Sequence, residues 1–258
     1  MRHLMTILLF FLLTGCSYFG GEEEDETIGW TADQLYAEAK GSLDAGYYSQ
    51  AIEHYQNLEA RYPFGKHAQQ ALLDLAYAYY KEDEDPDAAI AACNRFIKLY
   101  PQNPHVDYAY YLKGLTNFNK GKGLTQRFLP TDDSQRDPGA ALQAFNDFLE
   151  LTKRFPNSEY IEDAEQRMRY LRNNLAKNEV HVANYYMRRG AFLAAANRAR
   201  YVIENYPRTS AVPDALVVMA KAYRVLEMDD LSDDAIRVLE HNYPNHPGIF
   251  EIKQVRVQ

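Results

Sequence analysis

The chain holds 258 residues with a formal net charge of −8, 47% apolar side chains, 21 Tyr and a single Trp. That length suits one large or two ordinary domains with a proper core, and the normal apolar fraction excludes disorder for most of it. An acidic chain without a long Lys/Arg stripe is unsuited to nucleic acid, where phosphate neutralisation drives binding, and Cys16 and Cys93 are too few for a disulfide scaffold.

Residues 1–15 read as a signal peptide. Arg2 and His3 give a basic start, and Leu4 to Leu13 form an apolar run too short for a bilayer, which needs about 20 residues. Leu13-Thr14-Gly15-Cys16 resembles the lipobox of bacterial lipoproteins. The resemblance implies cleavage before Cys16 and a covalent lipid on it, S-diacylglycerol plus an N-acyl group, with no other cofactor. One acyl chain binds a membrane only marginally, so this set is a firm anchor. Ser17, where an Asp would imply inner-membrane retention, implies the outer membrane. Residues 16–30 continue as an acidic flexible linker, because Glu22-Glu23-Glu24-Asp25-Glu26 repels itself and has nothing to pack.

Five aromatic–proline pairs punctuate the chain beyond the linker: Tyr62-Pro63, Tyr100-Pro101, Phe155-Pro156, Tyr206-Pro207 and Tyr243-Pro244. Ahead of each runs one apolar stripe at helical spacing: Ala51, Tyr55, Leu58; Ala89, Cys93, Phe96; Ala144, Phe148, Leu151; Ala195, Ala199, Val202; Ser232, Ile236, Leu239. Proline disfavours helical geometry in the residue before it, so each helix ends at its aromatic. Asp85-Pro86, Asp137-Pro138 and Ser232-Asp233 mark helix starts. Proline spacings of 38, 55, 51 and 37 residues, with the recurring small residue, resemble the tetratricopeptide repeat. Leu35 stands at the nominal Trp position of the first repeat, whose turn holds Gly46 and Tyr48. The expectation is an all-α solenoid of five helix-turn-helix repeats, since a single helix pair cannot bury its apolar face alone. Residues 31–157 make repeats 1–3, with an insertion loop at 119–138 marked by Gly121, Gly123 and Pro130. Residues 158–258 make repeats 4–5, entered through a long helix or closely joined pair between Ser158 and Arg189.

No catalytic motif stands out. Serine-nucleophile and zinc-binding patterns are missing, and Gly121-Lys122-Gly123 lacks the rest of a phosphate loop. His105 and His246 lie in proline-rich turns and are expected to be solvated, and Cys93 sits on a packed stripe as a small core residue. Asp132-Asp133 reads as polar loop and Asp233-Asp234 as a helix start. The expectation is no enzyme and no metal, but an interaction scaffold.

A closer resemblance rests on longer strings. Arg61-Tyr62-Pro63-Phe64-Gly65 with Gln70, Leu73-Asp74 and Tyr77-Ala78-Tyr79-Tyr80 is similar to the BamD, or ComL-type, lipoproteins. So are His105-Val106-Asp107-Tyr108, Gly114-Leu115, Arg136-Asp137-Pro138, Phe155-Pro156-Asn157-Ser158 and Arg189-Gly190-Ala191-Phe192 with Asn197-Arg198. The resemblance implies a subunit of the β-barrel assembly machinery on the periplasmic face of the outer membrane. Its implied partners are a BamA-like barrel protein through its POTRA domains, accessory Bam lipoproteins and unfolded outer-membrane clients. Tyr77, Tyr80, Tyr108 and Tyr111 are candidates for a client-peptide groove, or for packing between stacked helices. Arg189 and Arg198 are candidates for docking POTRA domains, or for internal pairing with Glu204 or Asp214. The alternative function from repeats and lipobox alone is a periplasmic scaffold for peptidoglycan enzymes.

Overall fold

The computed structural model describes residues 27–253 except 83, 121–131, 133 and 135–137. Cys16, the signal peptide, the acid run and most of the insertion lie outside the described residues. Within them stand eleven helices: α1 (Ala32–Ala45), α2 (Tyr48–Arg61), α3 (Ala68–Glu82), α4 (Pro86–Leu99), α5 (Val106–Lys120), α6 (Gly139–Arg154), α7 (Ile161–Arg188), α8 (Phe192–Asn205), α9 (Val212–Val225), α10 (Asp229–Asn242) and α11 (Gly248–Lys253). Consecutive helices pack as antiparallel pairs, and first helices of neighbouring pairs touch, α1 with α3, α3 with α5 and α7 with α9. This is the expected all-α stack.

The aromatic–proline pairs end their helices as the sequence predicts. Tyr62, Tyr100, Phe155, Tyr206 and Tyr243 each leave helical geometry, at φ between −121° and −138°, while their N–H still bonds four residues back. Starts are more varied. Asp85 caps α4, its carboxylate accepting from Ala88 N at 3.0 Å ahead of Pro86. Thr31 and Gln34 form a reciprocal capping box on α1. α6 begins after Pro138 with no side-chain cap, and Asp137 lies outside the described residues. The expected start at Ser232-Asp233 is corrected: α10 begins at Asp229. Ser232 is fully buried inside it, its hydroxyl donating to the Ala220 carbonyl at 3.0 Å. It fills the small-residue slot where α10 meets α9, and the carbonyl satisfies its one polar atom.

The stripes form the core. Tyr55, Leu58, Phe96, Phe148, Leu151, Val202 and Leu239 are buried, as are Leu35 and Cys93. Burying each large side chain contributes roughly 1.5–3 kcal/mol. Ile236 is only half-buried; Ala235 takes the core position beside it. α7 is a single helix of 28 residues, twice the length of α1. Its first half buries Ala164 and Leu171 against α5 and α6, and its second half buries Ala176, Val180 and Ala183 against α8 and α9. α7 therefore serves as the first helix of two successive units, which accounts for the long proline spacing ahead of Pro207.

Two further expectations change. Residues 27–30 do not end the linker: Thr27 is buried and its carbonyl accepts from Arg61 Nη1 at 2.5 Å. Tyr62 likewise donates to the Trp30 carbonyl at 2.9 Å. At the other end His246 is mostly buried, not solvated, with Nε2 3.3 Å from Asp214. At the insertion, Asn119 and Lys120 complete α5, and Ser134 docks on α7, its carbonyl accepting from Asn178 at 2.8 Å.

Candidate functional site

α1, α3 and α5 flank a groove of about 570 Å³, with Tyr160 at its edge. Its walls carry Lys40, Asp44, Tyr48, Gln70, Tyr77 and Tyr108. Gly46 opens the corner between α1 and α2 at φ +81°, a left-handed conformation glycine adopts without strain. Lys40 Nζ lies 2.8 Å from Asp44, a bond that raises the ammonium's affinity for its proton. On the groove floor Asp74 accepts from Tyr36 at 3.2 Å, Tyr55 at 3.1 Å and Gln70 at 2.7 Å. Burial, reinforced by the Asp74 charge, pushes the Tyr36 phenol up to about 12 and Tyr55 higher still, so both remain donors. The result is a ring-lined groove with a largely polar wall, in which Lys40 is paired with Asp44 and Asp74 is a second, pinned carboxylate.

The four candidate tyrosines divide. Tyr77 and Tyr108 line the groove. Tyr111 packs instead: its ring stacks on Tyr160 at 4.6 Å and its hydroxyl donates to Asp163 at 2.7 Å. Tyr80 lies 6.4 Å from the Tyr77 ring and accepts from Asn119 at 3.0 Å. Sequence reasoning missed Lys40, Asp44 and Tyr160. The Lys–Asp pair at i,i+4 was readable as a helix-surface pair, but its approach to α3 needs the fold.

The two candidate arginines stand at the junction of α7 and α8. Arg189 caps α7, exposed, beside Gly190 at φ +73°. Arg198 is half-exposed on α8 and pairs with Glu179 at 2.9 Å, not with Glu204 or Asp214.

A serine, histidine and aspartate do meet where the insertion docks. Ser134 Oγ lies 2.9 Å from His181 Nε2, and Asp132 lies 3.5 Å from the same nitrogen. A nucleophilic triad requires acid and nucleophile on opposite ring nitrogens, so this cluster is a latch and not a triad. Among the described residues there is no metal-holding group of His, Cys, Asp and Glu, and no helix is long and apolar enough to cross a membrane.

The family described as YfiO, an outer membrane lipoprotein, matches residues 30–239. That span runs from Trp30, at the edge of the clamp, into α10. An outer membrane protein assembly factor BamD from Neisseria meningitidis serogroup B is 45% identical over 95% of this chain and 92% of its own. Namesakes from Xylella fastidiosa and Vibrio cholerae are 38% and 36% identical, over 96% and 92% of this chain and 84% and 96% of theirs. The chain belongs to the BamD family. Its role is that of an outer membrane protein assembly factor, at the outer membrane of a Gram-negative bacterium. The peptidoglycan-scaffold alternative gains no support from these BamD relatives.

Proposed function

We propose that the chain is a non-catalytic lipoprotein subunit of the β-barrel assembly machinery, held on the periplasmic face by acylated Cys16. In this reading the α1–α3–α5 groove receives client segments, and Arg189 and Arg198 dock the POTRA region of a BamA-like barrel protein beside accessory lipoproteins. The observation that carries it is the groove itself: Tyr77 and Tyr108 offer ring faces, Lys40, shared with Asp44, offers a cation, and no catalytic constellation lies in its walls. That chemistry suits the aromatic, carboxylate-bearing end of an extended peptide.

Two measurements test it. Tyr77→Ala is expected to lower photocrosslinking of a client-end peptide about fivefold or more, while Tyr80→Ala leaves it near wild type. Unchanged crosslinking by a folded Tyr77→Ala protein contradicts the groove assignment. For docking, Arg198→Glu is expected to abolish co-purification of the POTRA-containing barrel protein, and Glu179→Gln, which frees Arg198, to retain it. Retention by Arg198→Glu at unchanged thermal stability contradicts the arginine assignment. Metabolic labelling with palmitate, lost on Cys16→Ala, tests the anchor.

A further inference from the structure

The second helices of the repeats leave a recurring three-helix setting, a first helix flanked by the second helices of its own and the preceding pair. Three copies are comparable: α2–α3–α4, α4–α5–α6 and α8–α9–α10. In the first, Arg95 bridges to Glu59 at 2.6 Å and Gln56 donates to Tyr79 at 2.5 Å. In the second, Lys113 pairs with nearly buried Asp147 at 3.0 Å, and Asn117 donates to the same carboxylate at 2.7 Å. The first setting holds a groove of about 350 Å³ that the Arg95–Glu59 pair bridges from α4 to α2, and the second ties α5 to α6 with a nearly buried ion pair.

The third keeps half of that pattern. Arg200 donates to Tyr223 at 2.6 Å, the counterpart of the Gln56–Tyr79 bond. The ion pair is gone. In the register set by the closing prolines, Ile203 replaces Glu59, Val238 replaces Arg95 and Leu231 replaces Ala88. Here a groove of about 380 Å³ opens over Met219, and Leu231 and Val238 are 45% and 46% exposed at its edge. Ile203 packs against the core, but Leu231 and Val238 stand exposed where the first setting has Ala88 and a bridging arginine, and an apolar patch rimmed by charge is the anatomy of a docking site. The rim has a sign. α10 opens with Asp229, Asp230, Asp233 and Asp234. Arg224 faces Asp229 and Asp233 and Arg237 faces Asp234, and with Arg200 and Glu204 on the opposite wall five carboxylates stand against three arginines.

We propose that the α8–α9–α10 groove docks an amphipathic segment of a partner protein, which inserts aliphatic side chains between Ile203 and Val238 and sets Lys or Arg against the acidic start of α10. The site is separate from the tyrosine groove, and its occupant is opposite in charge to the carboxylate-ended peptide that groove suits. Helix-in-groove recognition of this kind reads apolar anchors at helical spacing.

The test uses the full-length chain and two labelled helical peptides sharing one leucine stripe, flanked in one by lysine and in the other by glutamate. Fluorescence anisotropy is expected to show the lysine peptide binding about tenfold or more tighter than its glutamate counterpart. Installing the pair of the first setting, Ile203→Glu with Val238→Arg, is expected to remove that binding. Leu231→Ala, which copies Ala88 at an exposed position and preserves the fold, is expected to weaken it severalfold at an unchanged melting temperature. Equal affinity for the two peptides, binding of neither, or full binding by the folded Leu231→Ala protein overturns the proposal. So does a dimer in sedimentation that Val238→Arg dissociates, because the groove would then belong to a second copy of the chain.

Discussion

Asp163 ties the third repeat to α7: its carboxylate accepts from the Tyr111 hydroxyl and from Arg167 Nε at 2.5 Å. Burial pushes its pKa up, but the Arg167 and Tyr111 hydrogen bonds and the guanidinium charge outweigh it and hold the carboxyl below the usual carboxylate range. A carboxyl that is more acidic in the folded state contributes stability above its unfolded pKa, about 3.9, and loses it as pH falls through the lower folded value. Asp163→Asn is therefore expected to be less stable than wild type at neutral pH, with the gap closing below about pH 4. Urea melts across that range measure it, and a gap that does not change with pH contradicts the ionic account. Cys93 was legible as a core residue from its stripe alone, and it is fully buried, its thiol pushed up to about 12 by desolvation. Asp163 was not legible, because its tyrosine partner lies 52 residues away in the chain. Side chains that pack within one helix pair declare themselves by spacing, whereas those that bind across pairs do not.

At the scale of the helix the proline register marked the ends of α2, α4, α6, α8 and α10, since a pre-proline aromatic carries its own steric constraint. Starts were harder. Ser232-Asp233 resembles a cap, yet burial of the serine against Ala220 overrides that local preference. Close helix contact was also hidden, in Gly114. A Cβ built there meets the buried Phe148 ring at 2.6 Å, whereas one at Gly41 on α1 meets nothing within 4 Å. Gly114→Ala is thus expected to cost about 1–3 kcal/mol by forcing α5 off α6. Gly41→Ala is expected to stabilise by up to about 1 kcal/mol through helix propensity alone. Chemical denaturation of the two variants separates packing from propensity, and equal effects would show that Phe148 simply moves aside.

For the whole molecule the coupling element is α7, whose two halves belong to different cores that meet between Leu171 and Ala176. The sequence left open whether this stretch is one helix or two, because an uninterrupted run of helix formers fits both. A single rigid rod transmits orientation between the halves of the stack. Lys177→Pro, at an exposed position, removes one helix bond and clashes with the preceding turn, a loss of about 3 kcal/mol or more. It is expected to split one denaturation transition into two, visible by comparing fluorescence with circular dichroism; a single shifted transition would mean the cores couple by another route. Net charge also divides at this scale: residues 1–26 hold five acids and Arg2, so the chain from Thr27 onward carries only −4. The clamp at Thr27 has a mechanical meaning. Arg61 and Tyr62, at the far end of α2, hold Thr27 and Trp30 just before α1 begins. A load applied upstream of Thr27 is therefore shared with the base of the second helix before it reaches the first turn of the first. Such a pull strains the closed corner of the first repeat instead of peeling the stack open from its edge.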